Sequence, residues 1–237
     1  MKKTLFVLFA LAAPAVMAMT DEEAAQILSS STVVTNDTYT FSANQSAFTA
    51  IAIVDLDAYA ALRPTLTTNN HPIVLSFTDS ENHVMGAILG DTRYTYNALI
   101  TTSLGTADRG SWQTLNNIGL SGAQGDDLYI GNATSAAITL SYDRNNGTYL
   151  TFSFMSKSGE LVTATRNDGD LRYSGASRTL STLTMNPDLF TKVYVMEGTK
   201  YTGADIAMLT QKALPEPATA TLSLLALAGL AARRRRH

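Results

Sequence analysis

Along the body of the chain, apolar residues arrive in short runs of strand length rather than at helical spacing, and that pattern predicts a mainly β fold. Residues 48–56 place Phe48, Ala50, Ala52, Val54 and Leu56 on one face and Ile51 and Ile53 on the other, as expected of a strand covered on both sides. Residues 72–79 bring Ile73, Leu75 and Phe77 to one face, and 83–89 pair with them through a polar turn at 79–82. The clearest hairpin joins 137–143, with Ile138, Leu140 and Tyr142 inward, to 148–156. Its turn is Arg144-Asn145-Asn146-Gly147, where Asn146 and Gly147 both tolerate positive φ. A further strand at 161–166 lies between turns at 157–160 and 167–170. The last strand, 190–197, reads with Phe190, Tyr194 and Met196 on one side and Val193 and Val195 on the other.

Two short helices frame these strands. Thr20-Asp21-Glu22-Glu23 is a capping-box pattern leading into 24–28, and Thr202-Gly203-Ala204-Asp205 is a looser one leading into 206–212. No repeat and no Pro- or Gly-rich linker divides the body, so one domain accounts for it. Many evenly spaced strands in one domain predict two antiparallel sheets packed face to face.

The ends of the chain read as addresses. Lys2 and Lys3 precede an apolar segment at 5–13, and Val16 and Ala18 supply small residues at −3 and −1, so 1–18 reads as a secretory signal cleaved after Ala18. Ala13-Pro14-Ala15 is a second cleavage candidate. At the other end, Pro215 and Pro217 break the chain after the body, and 218–232 carry no charge. A helix of that length spans ~22 Å, short of the ~30 Å hydrocarbon core of a bilayer. Arg233, Arg234, Arg235 and Arg236 would hold it at the cytoplasmic face until it is cut. Pro215-Glu216-Pro217, the apolar stretch and the arginines, in that order, resemble the PEP-CTERM sorting signal of Gram-negative bacteria. The resemblance implies transient anchoring of a short transmembrane helix in the inner membrane, recognition and cleavage by an exosortase after signal peptidase has acted, and delivery to the cell surface or extracellular matrix. An ordinary tail anchor is the alternative. The chain thus divides into a leader at 1–18, a body at 19–214 and a sorting tail at 215–237.

Removing both ends changes the charge. The chain has 17 Lys+Arg and 20 Asp+Glu; without Lys2, Lys3 and the four terminal arginines 11 basic residues remain, and without Glu216 19 acidic ones, a net charge of −8. No basic patch is left to attract phosphate, which argues against nucleic acid and anionic membranes as partners. The chain has no cysteine, so an exported body must hold itself by core packing alone, and thiol catalysis and cysteine metal sites are excluded.

Within the body, Ser141-Tyr142-Asp143 through Gly147-Thr148-Tyr149-Leu150-Thr151, then Gly159-Glu160-Leu161-Val162, resemble the central strands of laminin-G-like, concanavalin A-like domains. Val193-Tyr194-Val195 followed by residues 201–209 is similar to their closing strand and terminal short helix. The resemblance implies a jelly-roll sandwich and places glycan binding, adhesion and glycoside hydrolysis among its uses; function itself has to come from a site.

Hydrolysis on that scaffold needs carboxylates sharing a strand face, and no Glu-x-Asp-x-Glu occurs. Asp55 and Asp57 form the one carboxylate pair placed on a predicted strand, and a solvated strand end explains them better. His71 and His83 lack a Gly-x-Ser-x-Gly elbow or converging ligands. No catalytic residue is assigned and no cofactor is implied, apart from calcium, for which Asp126, Asp127, Asp168 and Asp170 offer oxygen-rich turns; Asp-Gly also suits any hairpin. Trp112, in the polar segment Arg109-Gly110-Ser111-Trp112-Gln113, and Tyr94 with Tyr96 are candidate platforms for stacking a sugar, against the commoner use of aromatics in a core. The expectation is a non-catalytic module binding polysaccharide or host glycans. A structural matrix protein without a specific ligand is the alternative, and a glycoside hydrolase comes third.

Overall fold

The structure is a computed structural model that describes residues 19–62, 73–80, 84–88, 99–100, 113–114, 133–156, 158–168 and 179–215. In chain order the elements are α1 (Asp21–Ser30), β1 (Thr32–Val34), β2 (Thr38–Thr40), β3 (Ala47–Val54), α2 (Leu56–Leu62), β4 (Ile73–Asp79), β5 (Val84–Ile88), β6 (Leu99–Ile100), β7 (Gln113–Thr114), β8 (Ser135–Asp143), β9 (Gly147–Met155), β10 (Leu161–Asp168), β11 (Leu180–Met185), β12 (Phe190–Glu197) and α3 (Gly203–Ala213). The strands form a six-stranded sheet, β1-β12-β3-β8-β9-β10, and a four-stranded sheet, β2-β11-β4-β5, with β6 and β7 paired apart. Every pairing is antiparallel, so the fold is the expected mainly β two-sheet sandwich.

The two sheets are stitched by a ribbon that belongs to both. β1 pairs with β12 in the large sheet and β2 pairs with β11 in the small one, so the links β1–β2 and β11–β12 cross between sheets side by side. At the crossing the Met185 amide donates to the Asp37 carbonyl at 2.8 Å, which keeps the backbone paired through the bend.

Between the sheets lies the larger core. Phe48, Ala50, Ala52 and Val54 from β3, Ile138, Leu140 and Tyr142 from β8, and Leu150, Phe152 and Phe154 from β9 meet Leu75, Phe77, Leu183 and Met185 of the small sheet. Phe77 is the aromatic link across the gap, with its ring 5.0 Å from Phe48 and 4.8 Å from Tyr142, both tilted or edge-on as ring quadrupoles prefer. The other face of the large sheet is also covered. Ile51, Ile53, Ala137, Met155 and Met196 pack with Ala24 and Leu28 of α1 and Leu209 and Ala213 of α3. All eight residues of β3 are consequently buried, the two-sided cover that apolar residues on both of its faces predict.

Local chemistry sets the element ends. Thr20 accepts from the Glu23 amide at 3.2 Å and Glu23 accepts from the Thr20 amide at 2.7 Å, the predicted capping box. The Thr202 side chain makes no such bond, so the second pattern does not cap α3. At the far end, Leu214 turns extended (φ −66°, ψ 140°), as a residue before proline must, and α3 stops ahead of Pro215. In the β8–β9 turn Asp143 Oδ1 accepts from the amides of Asn145 and Asn146 and from the Asn146 side chain, all at 2.9 Å. Gly147 alone takes positive φ there (71°), so the turn puts its left-handed residue at glycine and leaves Asn146 in an ordinary conformation.

Three expectations are corrected. The strand at 48–56 ends at Val54 because Asp55 turns the chain: its Oδ1 accepts from the Asp57 and Ala58 amides at 3.1 and 3.0 Å and starts α2. Asp55 and Asp57 therefore do not share a strand face. The pattern of β12 is broken by a bulge between Phe190 and Lys192, which turns Phe190 to the same inter-sheet core as Val193 and Val195. Tyr194 and Met196 face the helices, and the Lys192 ammonium lies 5.0 Å from the Tyr194 ring centre. Finally, β1, β2, β6, β7, β11 and α2 form where the sequence pattern predicts no element.

Candidate functional site

The end of the large sheet where β3 begins and β12 finishes concentrates the polar groups. Residues 198–201 leave β12 and run along that end: the Gly198 amide donates to the Ala47 carbonyl at 2.8 Å, and Gly198 makes the bend with φ 78°. Thr49 Oγ1 then takes three partners. It donates its single proton to the Thr199 carbonyl at 3.0 Å and accepts from the Tyr201 amide at 3.0 Å, so Ser141 Oγ, 2.9 Å away, must be the donor of the third bond. The Lys200 ammonium donates to the Asn146 carbonyl at 2.7 Å. Burial pushes its pKa down, partly offset by the nearby Asp143 carboxylate.

On the opposite side of the same strand end, Glu197 Oε1 accepts from the Tyr39 hydroxyl at 2.9 Å and from the Ser42 amide at 2.8 Å, tying the small sheet to the large one. Burial raises the Tyr39 pKa above its ordinary value, and the bond to Glu197 raises it further. The carboxylates and the ammonium of this region are thus committed to turns and strand ends, which holds the rim in shape.

The helix-facing side of the large sheet is rich in hydroxyls. Thr139 lies 3.2 Å from Thr210 of α3, and Ser153 lies 2.9 Å from Thr163 across β9 and β10. Ser135 Oγ and Thr151 Oγ1 are buried and have no hydrogen-bond partner among the described residues. Thr151 sits opposite Thr139 in the β8–β9 register, so a satisfied and an orphaned hydroxyl are neighbours.

Most residues singled out from the sequence fall elsewhere. Trp112, Tyr94, Tyr96, His71, His83, Asp126, Asp127 and Asp170 lie outside the described residues, as do Ala18, Glu216, Pro217 and Arg233, Arg234, Arg235 and Arg236. Asp168 closes β10 opposite Thr148, with its backbone alone described. Pro215 is exposed directly after the helix stop. Among the described residues no group of three or more His, Cys, Asp or Glu could hold a metal ion, and no helix is long and apolar enough to cross a membrane.

One contact was not anticipated by any motif: the Met19 amide donates to Asp205 Oδ1 at 3.2 Å, joining the start of α1 to the first turn of α3. Lys212 Nζ and Asp21 Oδ2, 2.8 Å apart, make a second link between the same helices. The sequence distance between the partners hides both.

No protein-family model and no curated protein matches the chain. Among solved structures it is similar to the alginate lyase from Klebsiella pneumoniae, with 12% identity and a TM-score of 0.36, over 65% of this chain and 60% of that one. So loose a superposition carries no weight for activity, and the sandwich stands on its own strand pairings.

Proposed function

We propose that the chain is an exported module of the cell surface or extracellular matrix, sent there by a PEP-CTERM-type tail and acting as a non-catalytic, concanavalin A-like domain that binds glycans or adheres to them. The observation that carries this reading is the closure of the fold by its own two ends. The helices α1 and α3 pack on each other against the large sheet, and Met19–Asp205 and Asp21–Lys212 join them. α1 begins just after the first of the two processing signals read from the sequence and α3 stops just before the second, so cleavage at both would leave these contacts in place. The committed carboxylates support a binding role over a catalytic one: Asp143 and Glu197 at the polar rim, and Asp55 at the other end of β3, each spend an oxygen on a turn, a strand end or a helix cap.

A glycan array probed with protein recovered from exporting cells, with and without calcium, tests the proposal. Saturable binding to a defined glycan class is expected, weakened about tenfold by Trp112→Ala, the size of one aromatic contact. Failure to bind across the array would leave the structural matrix role. Turnover of a polysaccharide would replace the proposal with the hydrolase.

A further inference from the structure

The hydrogen bond from the Met19 nitrogen to Asp205 is made across 186 positions of sequence, and its donor is the atom that signal peptidase would release. In the uncut chain that nitrogen is a neutral amide. Hydrolysis of the Ala18–Met19 bond consumes one water and leaves a carboxylate on Ala18 and, at neutral pH, an α-ammonium on Met19. We propose that this cleavage turns the Met19–Asp205 hydrogen bond into an ion pair, so that maturation itself locks α1 onto α3.

The surroundings favour the added charge. Asp205 lies in the first turn of α3, and Asp21, Glu22 and Glu23 fill the first turn of α1, so the new cation enters beside two acidic helix starts, where Lys212 already meets Asp21 at 2.8 Å. Met19 and Asp205 are both partly shielded from water, and the nitrogen is already within hydrogen-bond distance of its acceptor. A bond between opposite charges at such a position is stronger than the amide–carboxylate bond it replaces, and it needs little ordering because the partners are in place. The benefit is directed: Met19 also packs against the apolar cluster beneath the helices, so the ion pair holds the residue that closes that cluster. The leader would then keep the Met19 nitrogen an uncharged amide and withhold the last clasp until the chain has been exported. This inference rests on the export reading of residues 1–18.

The test compares full-length genes expressed in an exporting Gram-negative host, with the processed proteins purified and their N-termini sequenced. One variant carries two glycines inserted between Ala18 and Met19, which moves the new ammonium away and leaves an amide at Met19; each background is made with and without Asp205→Asn. The expected N-terminus is Met19 in the wild type and the first inserted glycine in the other background. The expected thermal midpoint of the wild type lies about 2 °C above that of the inserted variant at low salt. Asp205→Asn should remove that difference by lowering the wild type more than the inserted variant, and 0.5 M salt should shrink it (about a 4 Å screening length). Equal effects of Asp205→Asn in both backgrounds, with Met19 as the wild-type N-terminus, would overturn the clasp and leave the export reading standing. A wild-type N-terminus other than Met19 would overturn both the clasp and the assigned cleavage position.

Discussion

Ser141 on β8 donates its hydroxyl proton to Thr49 on β3, 2.9 Å away, because the one proton of Thr49 is already held by the Thr199 carbonyl. The bond joins neighbouring strands on the helix-facing side and carries the segment after β12 along the sheet end. Removing the hub would strand three buried or partly buried groups at once: Ser141 Oγ, the Thr199 carbonyl and the Tyr201 amide. Thr49→Val is expected to cost about 3 kcal/mol in a urea unfolding titration, and Thr49→Ser, which restores the hydroxyl, less than half of that.

Thr151 gives the opposite expectation in the same sheet face. Its hydroxyl is buried with no partner among the described residues, so it bears the desolvation cost of a polar group without the return of a bond. Thr151→Val keeps the shape and removes that cost. The same titration should show a variant at least as stable as the wild type, by up to about 1 kcal/mol. A loss as large as that for Thr49→Val would mean that the Thr151 hydroxyl has a partner after all.

The Tyr39–Glu197 bond sets an alkaline limit. Burial and the Glu197 carboxylate hold the Tyr39 phenol in its neutral form above its ordinary pKa of 10.0. A folded pKa above the unfolded one means the stabilisation is complete below pH 10 and is lost as pH rises through the folded value. Tyr39→Phe should cost about 1 kcal/mol near pH 7 and flatten the fall in thermal midpoint between about pH 10 and 12. An unchanged alkaline slope would remove Tyr39 from the account.

Glu23 sets the acid counterpart at the start of α1. Its backbone bond from Thr20 comes first, then the Thr20 side chain, and together they lower its pKa from 4.5. With the folded value depressed, the stabilisation is present above pH 4.5 and is lost as pH falls through the folded value. Amide hydrogen exchange in the first turn of α1 should therefore accelerate below pH 4 relative to α3, after correction for the intrinsic rate. In Glu23→Ala that protection should already be lost at neutral pH.

The strands of the two-sided core were readable because each is long enough for its alternation to be unambiguous: β3, β8 and β9 carry eight or nine residues and land within two of their expected bounds. The capping box at Thr20 was readable because it is a purely local exchange of bonds. What escaped was set by tertiary partners. β1 and β2 have three residues apiece and exist because β12 and β11 supply their hydrogen bonds. β11 alternates polar and apolar residues, LSTLTM, too weakly to stand out from the threonine-rich body. The bulge in β12 reverses the side of Phe190 without any glycine or proline to announce it. In the candidate site, the turn at Asp143 was legible as a turn, whereas Thr49, Glu197 and Asp205 draw their partners from positions more than ninety residues away.

The central claim is that this is an exported protein from which both terminal segments are removed. Intact-mass measurement of the protein recovered from the surface or medium of its host tests it most directly. The account predicts a chain that begins at Met19, ends near the Pro215-Glu216-Pro217 motif and lacks every one of the four terminal arginines. A mature protein that still carries Arg233, Arg234, Arg235 and Arg236 would contradict it, and the tail would then be a lasting anchor.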